Sequence, residues 1–126
     1  MIIKSSFLAF ATLLAACGGD ENCVGDLCTC PTDTACSHDC SAGAAECHIT
    51  GAPQQPVDVT CHDNGTCQVE CADSTSCKVD CGGSPDCRVT CPATGCTVHS
   101  CSGPGCIVSC GALGEATYAG TTATCP

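Results

Sequence analysis

The sequence predicts an all-β protein, a disulfide-stapled β-solenoid of short repeats, and three observations carry that prediction. A C-x-V-x-C unit recurs about every ten residues. Within each unit every second position is small and apolar while its neighbours are mostly polar, which is the period of a half-buried strand. The chain holds 19 cysteines but few other large apolar side chains, so sulfur must replace an ordinary greasy core.

The first element is not part of that repeat. Residues 1–6 carry one cation, Lys4, and residues 7–16 are uncharged and mostly apolar. Ten helical residues rise only about 15 Å, half the thickness of a hydrocarbon core, so this run reads as the core of a secretion signal rather than a span. It closes on Leu14, Ala15, Ala16 and Cys17. That ending resembles the lipobox of bacterial lipoproteins. The resemblance implies a signal peptide over residues 1–16, removed in the mature protein, and membrane attachment through lipid on Cys17. Two or three acyl chains anchor more firmly than one. Gly18 stands where an aspartate often retains lipoproteins at the inner membrane, so the resemblance favours the outer membrane or cell surface. Residues 17–25 then form a lipidated tether of at most about 30 Å, and residues 26–126 form the cysteine-rich β-repeat domain.

Beyond the signal the chain keeps two basic side chains, Lys78 and Arg88, against all 13 acids. Such a field repels nucleic acid and anionic lipid, and no nucleic-acid partner is expected. Phe7 and Phe10 leave with the signal, there is no Trp, and Tyr118 is the only aromatic side chain that remains.

The repeat is clearest in five units: Cys67, Val69 and Cys71; Cys77, Val79 and Cys81; Cys87, Val89 and Cys91; Cys96, Val98 and Cys101; Cys106, Val108 and Cys110. The loop before Cys96 is one residue short and the strand of Val98 one longer, which restores the register. Worn copies precede them: Cys28 and Cys30; Cys36, His38 and Cys40; Cys47, Ile49 and Gly51; Val57, Val59 and Cys61. A last worn copy reads from Ala116 through Tyr118 to Gly120. Between the units lie Gly, Pro, Asp, Asn and Ser, the residues of turns.

Setting Cys17 aside for lipid leaves an even number of cysteines. Positions one and five of one strand lie about 13 Å apart, far beyond disulfide reach. Pairing each fifth position with the next unit's first position makes Gly51 and Val57 partners, and neither is a cysteine. The opposite rule orphans Cys36 and Cys71. The joint vacancy selects Cys30–Cys36, Cys40–Cys47, Cys61–Cys67, Cys71–Cys77, Cys81–Cys87, Cys91–Cys96 and Cys101–Cys106. Cys23–Cys28 and Cys110–Cys125 are then the simplest remaining pairs. Pro53 and Pro56 are expected to stiffen the vacant turn. Each bridge closes a loop worth roughly 2 kcal/mol on the chain-entropy model, comparable with burying one valine. Nine bridges therefore outweigh a thin row of valines.

A parallel solenoid with two units per coil, about twenty residues, stacks the valines in columns. One unit per coil leaves too little chain to return. An antiparallel β-meander is the alternative that satisfies the same local bridges. In layout the repeat is similar to the cysteine-rich insect antifreeze solenoids, and it looks like cysteine-rich repeat lipoproteins of myxobacterial type, a likeness that implies no activity.

Functional chemistry is sparse. Only Cys28-Thr29-Cys30 has the tight spacing of a thiolate cluster, there is no C-x-x-C, and C-x-x-x-C on a strand splays its sulfurs apart, so disulfides are favoured over metal thiolates. His38, His48, His62 and His99 form no ligand pair by spacing. Asp63 and Asp73 share one loop position ten residues apart, with Asp33 and Asp86 in other turns, but no GGxGxD repeat accompanies them. The fourth-position column reads Thr29, Asp39, Thr50, Thr60, Glu70, Asp80, Thr90, His99, Ser109 and Ala119, too interrupted by charge for an ice-binding plane. No G-x-S-x-G, H-E-x-x-H or nucleotide loop occurs, so neither catalysis nor a cofactor is expected. The sequence thus points to a non-catalytic, lipid-anchored envelope or surface protein with a structural, adhesive or interaction role. Its partner would be an envelope or extracellular protein or glycan. The alternative is a metal-binding protein using cysteine thiolates or loop carboxylates.

Overall fold

The computed structural model describes residues 22–111 and 114–126. The expected signal peptide, the lipid site Cys17 and tether residues 18–21 lie outside them. The strands are β1 (Asn22–Val24), β2 (Leu27–Thr29), β3 (Cys36–Asp39), β4 (Glu46–Thr50), β5 (Pro56–Thr60), β6 (Thr66–Glu70), β7 (Ser76–Asp80), β8 (Asp86–Thr90), β9 (Cys96–His99), β10 (Cys106–Ser109), β11 (Thr117–Ala119) and β12 (Thr122–Cys125).

Alternate units build opposite walls. Sheet I has the order β1-β2-β4-β6-β8-β10, and sheet II the order β11-β12-β9-β7-β5-β3. From β2 to β10 in sheet I and from β3 to β9 in sheet II every ladder is parallel. Cys47 lies beside Cys67 and Cys67 beside Cys87, so one coil takes about twenty residues and contains two units. The chain is a parallel β-solenoid, and the parallel ladders overturn the antiparallel-meander alternative.

The alternation of side chains sets the interior. Positions one, three and five point inward and are buried, while positions two and four face out. Ile49, Val59, Val69, Val79, Val89 and Val98 are almost fully buried at the centres of the two walls. Small β-branched residues suit this narrow space, because a parallel sheet covered on one face by its own partner wall leaves no room for aromatic rings. Hydrogen bonding continues through the corners. The amides of Cys61, Cys71, Cys81 and Cys91 donate to the carbonyls of Asp80, Thr90, His99 and Ser109 in the next coil, at 2.8–2.9 Å.

The bridges occupy two corner columns. Cys40–Cys47, Cys61–Cys67, Cys81–Cys87 and Cys101–Cys106 close the corner from sheet II to sheet I. Cys30–Cys36, Cys71–Cys77 and Cys91–Cys96 close the corner from sheet I to sheet II. Their Cα–Cα separations run from 5.5 to 6.3 Å in the first six of these pairs along the chain, ordinary for a disulfide. The second column is interrupted where Gly51 faces Val57. A Cβ on Gly51 would lie 2.5 Å from Ser74 Oγ, 2.9 Å from the Glu70 carbonyl oxygen and 3.0 Å from Val57 Cγ2. Packing of buried Ala52, Val57 and Ser74 fills the vacancy, with the Ser74 hydroxyl 3.4 Å from the Ala52 carbonyl.

The ends depart from the repeat. Residues Asn22–Val24, expected within the tether, are strand β1, which pairs antiparallel with β2 and is tied by Cys23–Cys28. The stretch around Tyr118, expected as a worn solenoid copy, is instead an arm of the antiparallel hairpin β11–β12. β12 runs antiparallel to β9 and places Cys125 beside Cys96, where it bridges to Cys110 and continues the second corner column. The extra residue in the Val98 unit does not lengthen the strand. β9 ends at His99, and Ser100 takes a left-handed conformation (φ 55°) that absorbs the insertion.

Candidate functional site at the first coil

Because consecutive units belong to opposite walls, outward columns run every second unit. On sheet I the fourth-position column is Thr29, Thr50, Glu70, Thr90 and Ser109; on sheet II it is Asp39, Thr60, Asp80 and His99. Reading all units as one column mixed the two faces. Glu70 still breaks the hydroxyl row of sheet I, and it accepts a 2.9 Å bond from Gln68 Nε2 on the same face. The same correction separates Asp63 from Asp73. Asp63 sits in a corner leading to sheet I and Asp73 in a corner leading to sheet II, so the two loop carboxylates do not stack.

Asn64 is a buried polar residue that the sequence reading did not single out. Its Oδ1 accepts from the His62 amide at 2.9 Å, and its Nδ2 donates to the carbonyls of Ser41 and Ala44 at 2.9 and 3.0 Å. It thereby ties one turn to the turn of the preceding coil, and every bond it makes is to backbone, which suits a structural role. The only available signal was an Asn-Gly pair in a turn.

The histidines separate into different environments. His62 is half-exposed and pairs with Asp39 across adjacent coils. His38 is different, because it holds an inward central position beside Val59. Its side chain is only 14% exposed, and its Nε2 lies 3.3 Å from Asp26 Oδ1. The same oxygen accepts from the Ser41 amide at 3.1 Å and from the Ser41 hydroxyl at 3.3 Å. Partial burial opposes charge on Asp26, but the bonds from the Ser41 amide, the His38 ring and the Ser41 hydroxyl outweigh it and hold the carboxyl below its ordinary value of 3.8. The hydroxyl of Ser41 is directed at the carboxylate, so this is not the order of a hydrolytic triad, in which the imidazole receives the hydroxyl proton.

Facing His38 across the coil is Cys28 in the equivalent central position of sheet I, beside Ile49. Its Sγ lies 3.7 Å from His38 Nδ1 and 3.8 Å from Nε2. Cys28 is buried, but its partner Cys23 is exposed. Among the described residues, four groups of three histidine or cysteine side chains converge closely enough to hold a metal, and each includes cysteines already joined in disulfides. Thiolates are the metal-binding form of cysteine, so these sulfurs are not thiolate ligands in this state. Among the described residues, an open groove of about 440 Å³ lies between the ends of β10 and β11, lined by Val108, Ser109, Gly114, Glu115 and Tyr118. It has no convergent set of histidine and carboxylate groups.

Comparison with protein-family models, with curated proteins and with solved structures gives no match to this chain. What the fold defines is a cysteine-rich β-solenoid closed by nine bridges, a construction suited to an oxidising, extracytoplasmic environment.

Proposed function

We propose that this chain is an exported, lipid-anchored module of the cell envelope or surface, acting as a rigid, non-catalytic scaffold with a structural, adhesive or interaction role. One observation carries the reading. Of the 19 cysteines, the eighteen from Cys23 to Cys125 pair among themselves, and the one left over is Cys17 at the end of the lipobox-like run. A solenoid interior filled by bridges and valines leaves its two outward walls as the working surface, and their acidic side chains make a protein or glycan partner better suited than nucleic acid.

The test is lipid labelling of the native precursor in a bacterial host. Acyl label on Cys17 that is lost in Cys17→Ser and blocked by globomycin supports the anchor. A freely secreted, unlabelled product overturns it. A thiol count on protein isolated without reductant separates the scaffold from the metal-binding alternative. Near-zero thiols support the scaffold, whereas many thiols with co-purified metal support the alternative.

A further inference from the structure

The first coil breaks the rule that governs the interior. In the following coils the central pair across the two walls is Ile49 with Val59, Val69 with Val79, and Val89 with Val98, all buried. In the first coil that pair is Cys28 with His38, and Asp26 stands behind the imidazole. An imidazole and a carboxylate gain nothing over valine as filling for an apolar column, since each must be provided with hydrogen bonds. Their presence beside a disulfide with one exposed end is a chemical arrangement.

The other eight bridges have no fully exposed member. Thirteen of their sixteen cysteines lie in the well-buried core of the corner columns, Cys96 and Cys125 are nearly so, and only Cys106 of the Cys101–Cys106 pair is partly open. Among the described residues Cys23–Cys28 alone joins an exposed cysteine to a buried one beside an imidazole; His38 also lies within 4.8 Å of the sulfurs of Cys40–Cys47, but both of those cysteines are buried.

We propose that Cys23–Cys28 is a thiol–disulfide exchange site, at which an external thiolate is captured on Cys23 while Cys28 is the leaving sulfur stabilised by His38. The incoming thiol gives its proton to solvent and its sulfur attacks Cys23 Sγ. A new S–S bond forms to Cys23 and the Cys23–Cys28 bond breaks. The electron pair of that bond goes to Cys28 Sγ, which departs as a thiolate. One disulfide replaces another, so no further oxidant or reductant is required. A leaving thiol with a lower pKa leaves faster, and a cation beside it lowers that pKa. The His38 ring faces the departing sulfur, and Asp26, fixed by both donors of Ser41, orients that ring. The thiolate of Cys28 remains close enough to attack the mixed disulfide and release the captured thiol, so capture is reversible. The bridge closes only the terminal hairpin, which leaves the eight others and the coils they hold intact while it is open.

The test uses the disulfide-bonded protein, with glutathione as the probe thiol at neutral pH. The reaction is quenched with iodoacetamide and mapped by mass spectrometry. The expected result is a single early adduct, glutathione on Cys23 and alkylation on Cys28, formed at least about tenfold faster than opening of any other bridge. His38→Val restores the apolar residue of later coils and so keeps the interior packed. It is expected to slow adduct formation by about tenfold, with the circular dichroism spectrum and the other eight bridges unchanged. Asp26→Asn is expected to slow it by a smaller factor. The proposal is overturned if another bridge opens first, if the first adduct sits on Cys28, or if His38→Val reacts at the rate of the parent. If His38→Val does not fold, the Asp26→Asn rate and the site of the first adduct in the parent decide the matter in the same way.

Discussion

The two corner columns of the solenoid hold the same kind of turn by different means. The corner entering sheet I is bridged in four successive coils, whereas the corner entering sheet II loses its bridge at Gly51 and Val57. The backbone hardly registers the loss. β5 still pairs residue for residue with β7, and Val57 sits beside Cys77 as a cysteine would. The ladder and the valine column therefore set the shape, while the bridges chiefly limit the freedom of the unfolded chain. Where the bridge is missing, a glycine lets the neighbouring turn press into the vacant space.

Four outcomes would break or sharpen that contrast. The largest is full reduction with alkylation. All nine loops then open at once, the remaining valines bury too little surface to offset the ordering of the chain, and the β-sheet signal in circular dichroism is expected to disappear. Retention of that signal would show the ladder to be self-sufficient. Next, Cys61→Ser with Cys67→Ser removes one bridge from the continuous column and is expected to cost about 2 to 3 kcal/mol in denaturant unfolding, while the shape persists. Smaller is Gly51→Ala at the unbridged corner. The added methyl meets the Glu70 carbonyl and Ser74, so a loss of about 1 to 2 kcal/mol is expected. Combining it with Ser74→Gly recovers part of that loss, because the nearest colliding atom is then gone.

The smallest effect is set by acid at the first coil. Asp26 has a lowered folded-state pKa, so its contribution is fully present above its ordinary value of 3.8 and is lost as pH falls through the folded value beneath it. Amide exchange at Ser41 is expected to stay slow until the pH drops below 3.8, and Asp26→Asn is expected to abolish that dependence.

Much of this was legible in the residues, for a physical reason. Period-two alternation inside a period-ten repeat fixes both the strands and their inward faces, and a joint vacancy such as Gly51 with Val57 reports a pairing that no single cysteine could. Other features escaped. Two units per coil follow from the chain length needed to return, yet the outward columns and the pair Asp63 and Asp73 are compared in the sequence as if every unit shared one face, and only the ladders assign alternate units to opposite walls. The hairpin β11–β12 reverses the chain, so Cys125 reaches the corner column from the opposite direction and leaves no repeat for the eye to follow. Cys28 and His38 are ten residues apart in two worn units, and only the closing of the first coil brings sulfur and imidazole together.

Every corner bridge in the coils joins neighbouring units, so no covalent tie reaches beyond one turn. A gene can therefore gain or lose a block of about twenty codons and leave every remaining partnership intact, the rod growing or shrinking by about 4.8 Å each time. A block of ten has a different outcome. It carries all later strands to the opposite wall and exchanges the two outer surfaces downstream of the change. Length is thus free to drift by whole coils, while half-coil changes are exposed to selection.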